Sequence, residues 1–268
     1  MKLITVELNG AQRLGAKVDD DSFIDLNKAD ATIPSDIVTF IQGGEDILQR
    51  AKEVLKSPGI ETISLSDVKL MAPMPRPQRN IMCVGKNYYD HANEFGSSGY
   101  DASSSQLIPD HPPIFTKCTS TIIADREPIP GHLDPTNTVD YEGELTVVLG
   151  KGGRGIKRED AYDHVFGYTI VNDVTARDLQ QRHKQWFIGK NIDGFGPMGP
   201  CITTADEIGD ITQRRLQTKV NGELRQDAVV KDLIFDVPYL IACLSEGMTL
   251  EAGDLIATGT PAGVGIGF

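Results

Sequence analysis

Hydrophobic and polar positions alternate with a period of two over much of this chain, the signature of strands with one face turned inward. The first 70 residues open on such a run, L-I-T-V-E-L, continue with R-L-G-A-K-V, and change to helical spacing over 45–55. Pro73, Pro75 and Pro77 in M-A-P-M-P-R-P-Q then exclude helix and mark a connector. A boundary is predicted there, between a small N-terminal α/β domain, 1–70, and a larger domain, 71–268. Beyond it, strand-like runs broken by Gly and Pro turns dominate, with helical spacing only at 88–95, 177–185 and 233–245. The pattern predicts an α+β fold, mostly β, without internal repeats.

One run raises a question of chemistry. In V-D-Y-E-G-E-L-T-V-V-L, 139–149, a single strand would put Asp140, Glu142 and Glu144 on one face about 7 Å apart, and Val139, Tyr141, Leu145 and Val147 on the other. Such a row is either the solvated face of an amphipathic strand or a set of ligands for a cation. The later run H-V-F-G-Y-T-I-V-N-D carries Asp173 at its C-terminal end, where a third carboxylate would complete a coordination set. The alternative is that Asp173 or Thr175 caps the next helix, with Thr175 and Asp178 at capping-box spacing. An all-carboxylate set with no His or Cys nearby selects a hard ion, Mg²⁺, Mn²⁺ or Ca²⁺, over zinc.

Further candidates cluster around this run. His91 and Glu94 stand at i and i+3, so a carboxylate orients an imidazole in the manner of a general base, or the two form a surface salt bridge. They precede a Gly/Ser-rich stretch, 96–106, which includes Gly96, Ser97, Ser98, Gly99 and Ser103 to Ser105 and is expected to be a mobile lid. Arg177, Gln180 and Lys190 follow Asp173, either as substrate contacts or as compensation for the acids. The glycine-rich stretches 150–155, 194–200 and 258–267 read as turns, since none continues as a dinucleotide or P-loop motif requires.

Bulk composition narrows the function. With 268 residues, 40% hydrophobic and 24% charged, the chain can bury a large core. No apolar run approaches the roughly 20 residues of a membrane span, and the N-terminus lacks a signal peptide's apolar region, so a cytoplasmic, non-membrane protein is expected. A formal net charge of −12 argues against nucleic acid and requires a metal or placed Lys and Arg wherever an anion binds. Cys83, Cys118, Cys201 and Cys243 are far apart, and Cys83 and Cys243 sit in apolar runs as small buried hydrophobes.

Taken in order, G-K-N-Y-x-D-H-x-x-E, D-Y-E-G-E-L, N-D-V-T-A-R-D-L-Q, K-N-I-D-G-F-G-P-M-G-P and G-D-L-I-A-T-G-T-P-A-G-V-G resemble the fumarylacetoacetate hydrolase family, over roughly residues 70–268. The resemblance implies a mixed β-sandwich or β-roll catalytic domain and commonly a homodimer. It makes Glu142, Glu144 and Asp173 the ligands of Mg²⁺, with Mn²⁺ or Ca²⁺ able to substitute, and leaves Asp140 outside the set. His91 and Glu94 match a water-activating dyad, Lys190 and Gln180 face the substrate, and Thr260 lies near its carboxylate. Arg177 belongs to the same motif as a substrate contact, with a structural role left open. Asn87 replaces an acidic ligand of the larger family members, so three protein ligands are expected. Those members also continue past the last motif into strands that close the core; these are expected to lie beyond Phe268.

The substrates so implied are small anionic 2-oxo or 2,4-dioxo acids, and the leading expectation is a Mg²⁺-dependent hydrolase of the acylpyruvase type. An oxaloacetate-type decarboxylase, a 2-hydroxyhepta-2,4-diene-1,7-dioate-type isomerase and a 2-keto-3-deoxy sugar acid dehydratase are the alternatives, because all pass through an enolate beside the keto group. From a different class, the chain could be a catalytically silent metal and ligand binder.

Overall fold

Strands from both sides of the proline connector build one mixed sheet of eleven strands. The computed structural model describes residues 1–100 and 108–268. From one edge the order is Ile63–Ser64, Ser22–Asp25, Ala11–Lys17, Lys2–Leu8, Ile202–Thr204, Val165–Asn172, Gly143–Leu149, Leu255–Ala257, Ile81–Val84 and Ile114–Lys117, with Lys69–Leu70 paired to Lys2–Leu8. Pairing in this sheet is antiparallel except between Leu255–Ala257 and Ile81–Val84. The α+β, mostly β expectation is borne out.

Residues 1–70 contribute one end of this sheet and the helices Leu26–Ala29, Ile37–Gln42 and Gly44–Lys56. Their strand Lys2–Leu8 joins the rest by pairing Lys2 with Thr203 and Leu3 with Ile202. Leu14, Phe40 and Ala51 from this part share a hydrophobic cluster with Cys83, Val148, Val171 and Leu255 from the remainder, so the proline connector runs between two parts of one core. The opposite face of the central strands is covered by a second cluster containing Val84, Val147 and Leu149 and the helix Val237–Ser245. Every residue of Gly143–Leu149 is therefore buried, and the polar face expected from alternation does not exist there.

The predicted helices at 45–55, 88–95, 177–185 and 233–245 correspond to Gly44–Lys56, Tyr89–Ser97, Arg177–Arg182 and Val237–Ser245. All four cysteines are free, and Cys243 is only half-buried. Among the described residues no helix is long and apolar enough to cross a membrane.

Candidate active site

The expected single strand over 139–149 is broken, and the break makes the site. Asp140 pairs with Thr175 and Gly143 with Asn172, but between them the ladder opens, freeing Tyr141 and Glu142 on one side and Asp173 and Val174 on the other. Backbone ties hold the opening in shape: Asp173 N–H donates to the Glu142 carbonyl at 2.8 Å, and Glu142 N–H donates to Asn172 Oδ1 at 2.9 Å. Glu144, two residues along the intact strand, completes a buried group whose ligand atoms all lie within 4.8 Å of one another.

Buried cations surround these acids. Lys190 Nζ reaches Glu142 and Asp173, each at 2.7 Å, and Lys117 Nζ lies 2.8 Å from Asp173 Oδ1. Arg177 forks between Glu142 at 2.6 Å and Asp140 at 2.7 Å, and also donates to Gln180 Oε1. Glu144 makes no ion pair among the described residues and accepts only the Gly259 N–H, at 3.1 Å. That N–H is delivered at a φ of +100°, and a Cβ on Gly259 would meet Asn87 Cβ at 2.8 Å, so glycine is required.

Electrostatics divide the two glutamates. Burial alone would raise the Glu142 carboxyl, but Lys190, Arg177 and His91 outweigh it and hold it well below the ordinary range. For Glu144, burial acts together with repulsion from Asp173 and Glu142, and the carboxyl is pushed well up. Asp173 Oδ1 is also buried without hydrogen-bond geometry to any partner. Three buried carboxylates within 4.8 Å of one another, one of them without an ion pair among the described residues, are what a divalent ion would satisfy, so this residue set fits one.

The helix-cap reading of Asp173 and Thr175 fails. The helix Arg177–Arg182 begins after Ala176 with no side-chain cap, Thr175 Oγ1 donates to the Asp173 carbonyl, and the Asp173 carboxylate faces lysines.

Six of the predicted residues, His91, Glu142, Glu144, Gln180, Lys190 and Thr260, line one small cavity. Glu94, Asp173 and Arg177 stand behind it. Glu94 Oε2 is 3.1 Å from His91 Nδ1, and both its oxygens accept the Gly263 N–H, so the pair is no simple surface salt bridge. Thr260 Oγ1 donates to the Gly143 carbonyl and accepts from Gln226 Nε2 at 2.6 Å. Among the described residues the Asn87 side chain binds only backbone, at Phe235 and Thr258. Of the expected lid, Gly99 accepts from Gln181 and Tyr100 donates to Asp178, while Ser103, Ser104 and Ser105 lie outside the described residues.

Sequence reasoning missed Lys117, Gln226, Lys86 and the aromatic wall of Phe95, Phe115 and Trp186. Lys117 alone carried a signal, as a lysine closing the apolar strand Ile114–Lys117. It also left Asp140 without a role. Both Asp140 oxygens are saturated by Arg177, the Gly265 and Ile266 N–H groups and Tyr141 N–H. Asp140 therefore clasps the C-terminal loop to Arg177 and cannot ligate a metal.

Asp140→Asn should leave a buried guanidinium half-paired, costing about 3–5 kcal/mol, or roughly 6–20 °C in Tm for a chain of this size. Differential scanning calorimetry checks this; a change within about 1 °C would show that Glu142 alone suffices for Arg177.

A family model described as fumarylacetoacetate (FAA) hydrolase C-terminal matches residues 80–267. The chain is 48% identical over 281 residues to oxaloacetate tautomerase YisK of Bacillus subtilis (strain 168), covering 100% of this chain and 91% of that protein. Among solved structures it is similar to a fumarylacetoacetate hydrolase from Exiguobacterium antarcticum, 40% identical with a TM-score of 0.81, covering 100% and 89% of the two chains. It is also similar to maleylpyruvate hydrolase from Sphingobium sp. SYK-6 in complex with manganese(II) ion and pyruvate, 31% identical with a TM-score of 0.78, covering 99% and 90%.

Proposed function

Because the chain belongs to the fumarylacetoacetate hydrolase family, we propose that it is a Mg²⁺-dependent tautomerase of oxaloacetate, interconverting the keto and enol forms of this small 2-oxo diacid. The observation that carries this reading is the placement of His91, oriented by Glu94, in one small cavity with Glu142, Glu144 and Lys190. The similarity to an oxaloacetate tautomerase supports the choice of substrate.

Glu142, Glu144 and Asp173 would hold the metal, which when bound supplies Lewis-acid polarisation of the 2-oxo group. The protein's own residues do the rest. Glu94 engages His91 Nδ1, which leaves Nε2 to take a proton from C3 of the keto form or return it to the enol. Lys190 directs two of its three N–H bonds at Glu142 and Asp173, and the third is available to the substrate oxygen on which negative charge develops. A proton delivered to that oxygen completes the enol, so one proton leaves carbon and one arrives at oxygen. Phe95, Phe115 and Trp186 wall the cavity and limit competition from bulk water.

A second reading keeps the same site as a hydrolase of 2,4-dioxo acids, with His91 activating water instead of removing a proton from carbon. The similarity to a maleylpyruvate hydrolase favours retaining it.

One assay separates the two: decay of the oxaloacetate enol absorbance, run beside pyruvate release from acylpyruvates, oxaloacetate and 2-keto-3-deoxy sugar acids, with Mg²⁺, Mn²⁺ or EDTA. Chelator-sensitive acceleration of enol decay is expected. Rapid acylpyruvate cleavage without any effect on enol decay would replace the first reading by the second.

A further inference from the structure

Gly263 is hydrogen-bonded through both of its peptide groups, and the two bonds lead to different parts of the site. Its N–H donates to Glu94 Oε1 at 3.0 Å and Oε2 at 3.3 Å, and Glu94 Oε2 meets His91 Nδ1. Its carbonyl accepts from Tyr141 Oη at 2.7 Å. Tyr141 precedes Glu142 in the chain, so the neighbour of one triad carboxylate reaches the carboxylate that orients the imidazole through a single glycine.

That glycine cannot hold its own direction. Its φ is +102°, and a Cβ there would run into the Arg225 carbonyl, so the position requires glycine. Glycine permits a wide range of φ and ψ, so the aim of its N–H is set by whatever holds the flanking peptides. Further along the loop, Asp140 accepts from Gly265 N–H at 2.7 Å and Ile266 N–H at 3.3 Å. Gly267 backs the Glu94 carboxylate, since a Cβ there would overlap Oε1. At Gly263 itself, the Tyr141 hydroxyl holds the carbonyl directly. Asp140 also serves Arg177, whereas the Tyr141 hydroxyl can be removed without unpairing a buried charge.

Resting on the proposed role of His91 as the base, we infer that Tyr141 is a positioning residue for proton transfer. Through Gly263 and Glu94 it fixes the imidazole with Nδ1 engaged and Nε2 free for the substrate. The segment that supplies Glu142 to the triad thereby also sets the general base.

Tyr141→Phe keeps the ring and deletes the hydroxyl. In the Mg²⁺-loaded protein, kcat for oxaloacetate should fall by about three- to ten-fold, with KM and the Mg²⁺ Kd each changed by less than about two-fold. Combined with Glu94→Gln it should cost nothing further, because both changes act through one carboxylate. The imidazole gives a readout apart from turnover. His91 is one of five histidines, and its ¹⁵N ring signals are those that His91→Ala removes. The parent should show a protonated Nδ1 and a bare Nε2, and Tyr141→Phe should move both toward the averaged shifts of a free imidazole. An unchanged kcat, losses that multiply in the double variant, or unmoved His91 signals would overturn the inference. Oxaloacetate turnover by the parent with unmoved His91 signals in the variant removes the positioning role alone. Signals that move in a protein that does not turn over oxaloacetate remove the tautomerase reading alone.

Discussion

Glu144→Gln is expected to abolish metal binding and activity while leaving the metal-free protein at least as stable as the parent. Glu144 is the acid in the cluster without an ion pair, and burial, Asp173 and Glu142 all oppose its charge. Glutamine keeps the shape and the acceptor for Gly259 N–H, and removes the repulsion. The pH dependence follows from the same shift. A carboxyl raised in the folded state binds its proton more tightly than in the unfolded chain, so metal-free wild type loses stability as pH rises above the ordinary Glu range. Glu142, held low, contributes stability that is fully present above that range, and does not mask the loss. In EDTA, the difference in Tm between variant and parent should therefore widen in the variant's favour as pH increases.

With Mg²⁺ at a hundredfold excess over Kd the parent should gain about 2.7 kcal/mol, or roughly 5–11 °C, and the variant nothing. Loss of several kcal/mol of Lewis-acid stabilisation lowers kcat by about 10³ or more. A variant that still responds to Mg²⁺, or that melts well below the parent in EDTA, would show Glu144 to be a structural acid.

The parts of this site that sequence made legible are those whose residue types follow from chemistry. Three carboxylates near one another need a cation, and a carboxylate three residues after an imidazole on a helix orients it. The period-two reading of 139–149 placed Glu142 and Glu144 together, but it could not foresee that the strand opens at Tyr141 and Glu142. That opening depends on a matching break at Asp173 and Val174, more than 30 residues along the chain, and pairing across such a distance leaves no local mark. The same limit hid Asp140, whose partners Arg177, Gly265 and Ile266 come from two other segments. Lys117 went unnoticed although it closes a short, largely apolar strand, and Gln226 because it is the one buried residue of the strand Glu223–Val229, where nothing local marks it.

His91→Ala tests whether the dyad acts on the substrate. Removing a positioned general base typically costs 10² to 10⁴ in rate, so kcat for oxaloacetate tautomerisation should fall by about that factor. His91 is not among the three carboxylate ligands, so the Mg²⁺-induced rise in Tm should stay within about 1 °C of the parent's. Glu94→Gln should be milder for proton transfer, since Nε2 remains, but it also weakens the anchor of the Gly263 loop. The variant should therefore lose about ten-fold in kcat together with a lower Tm. Decarboxylation of oxaloacetate, which releases CO₂ without removing a proton from carbon, should suffer less from His91→Ala than tautomerisation does. Equal loss of both would mean that His91 stabilises the enolate common to them, and a negligible loss would return His91 and Glu94 to a purely structural pair. Loss of acylpyruvate cleavage alone, with tautomerisation intact, would assign His91 to water activation and the chain to the hydrolases.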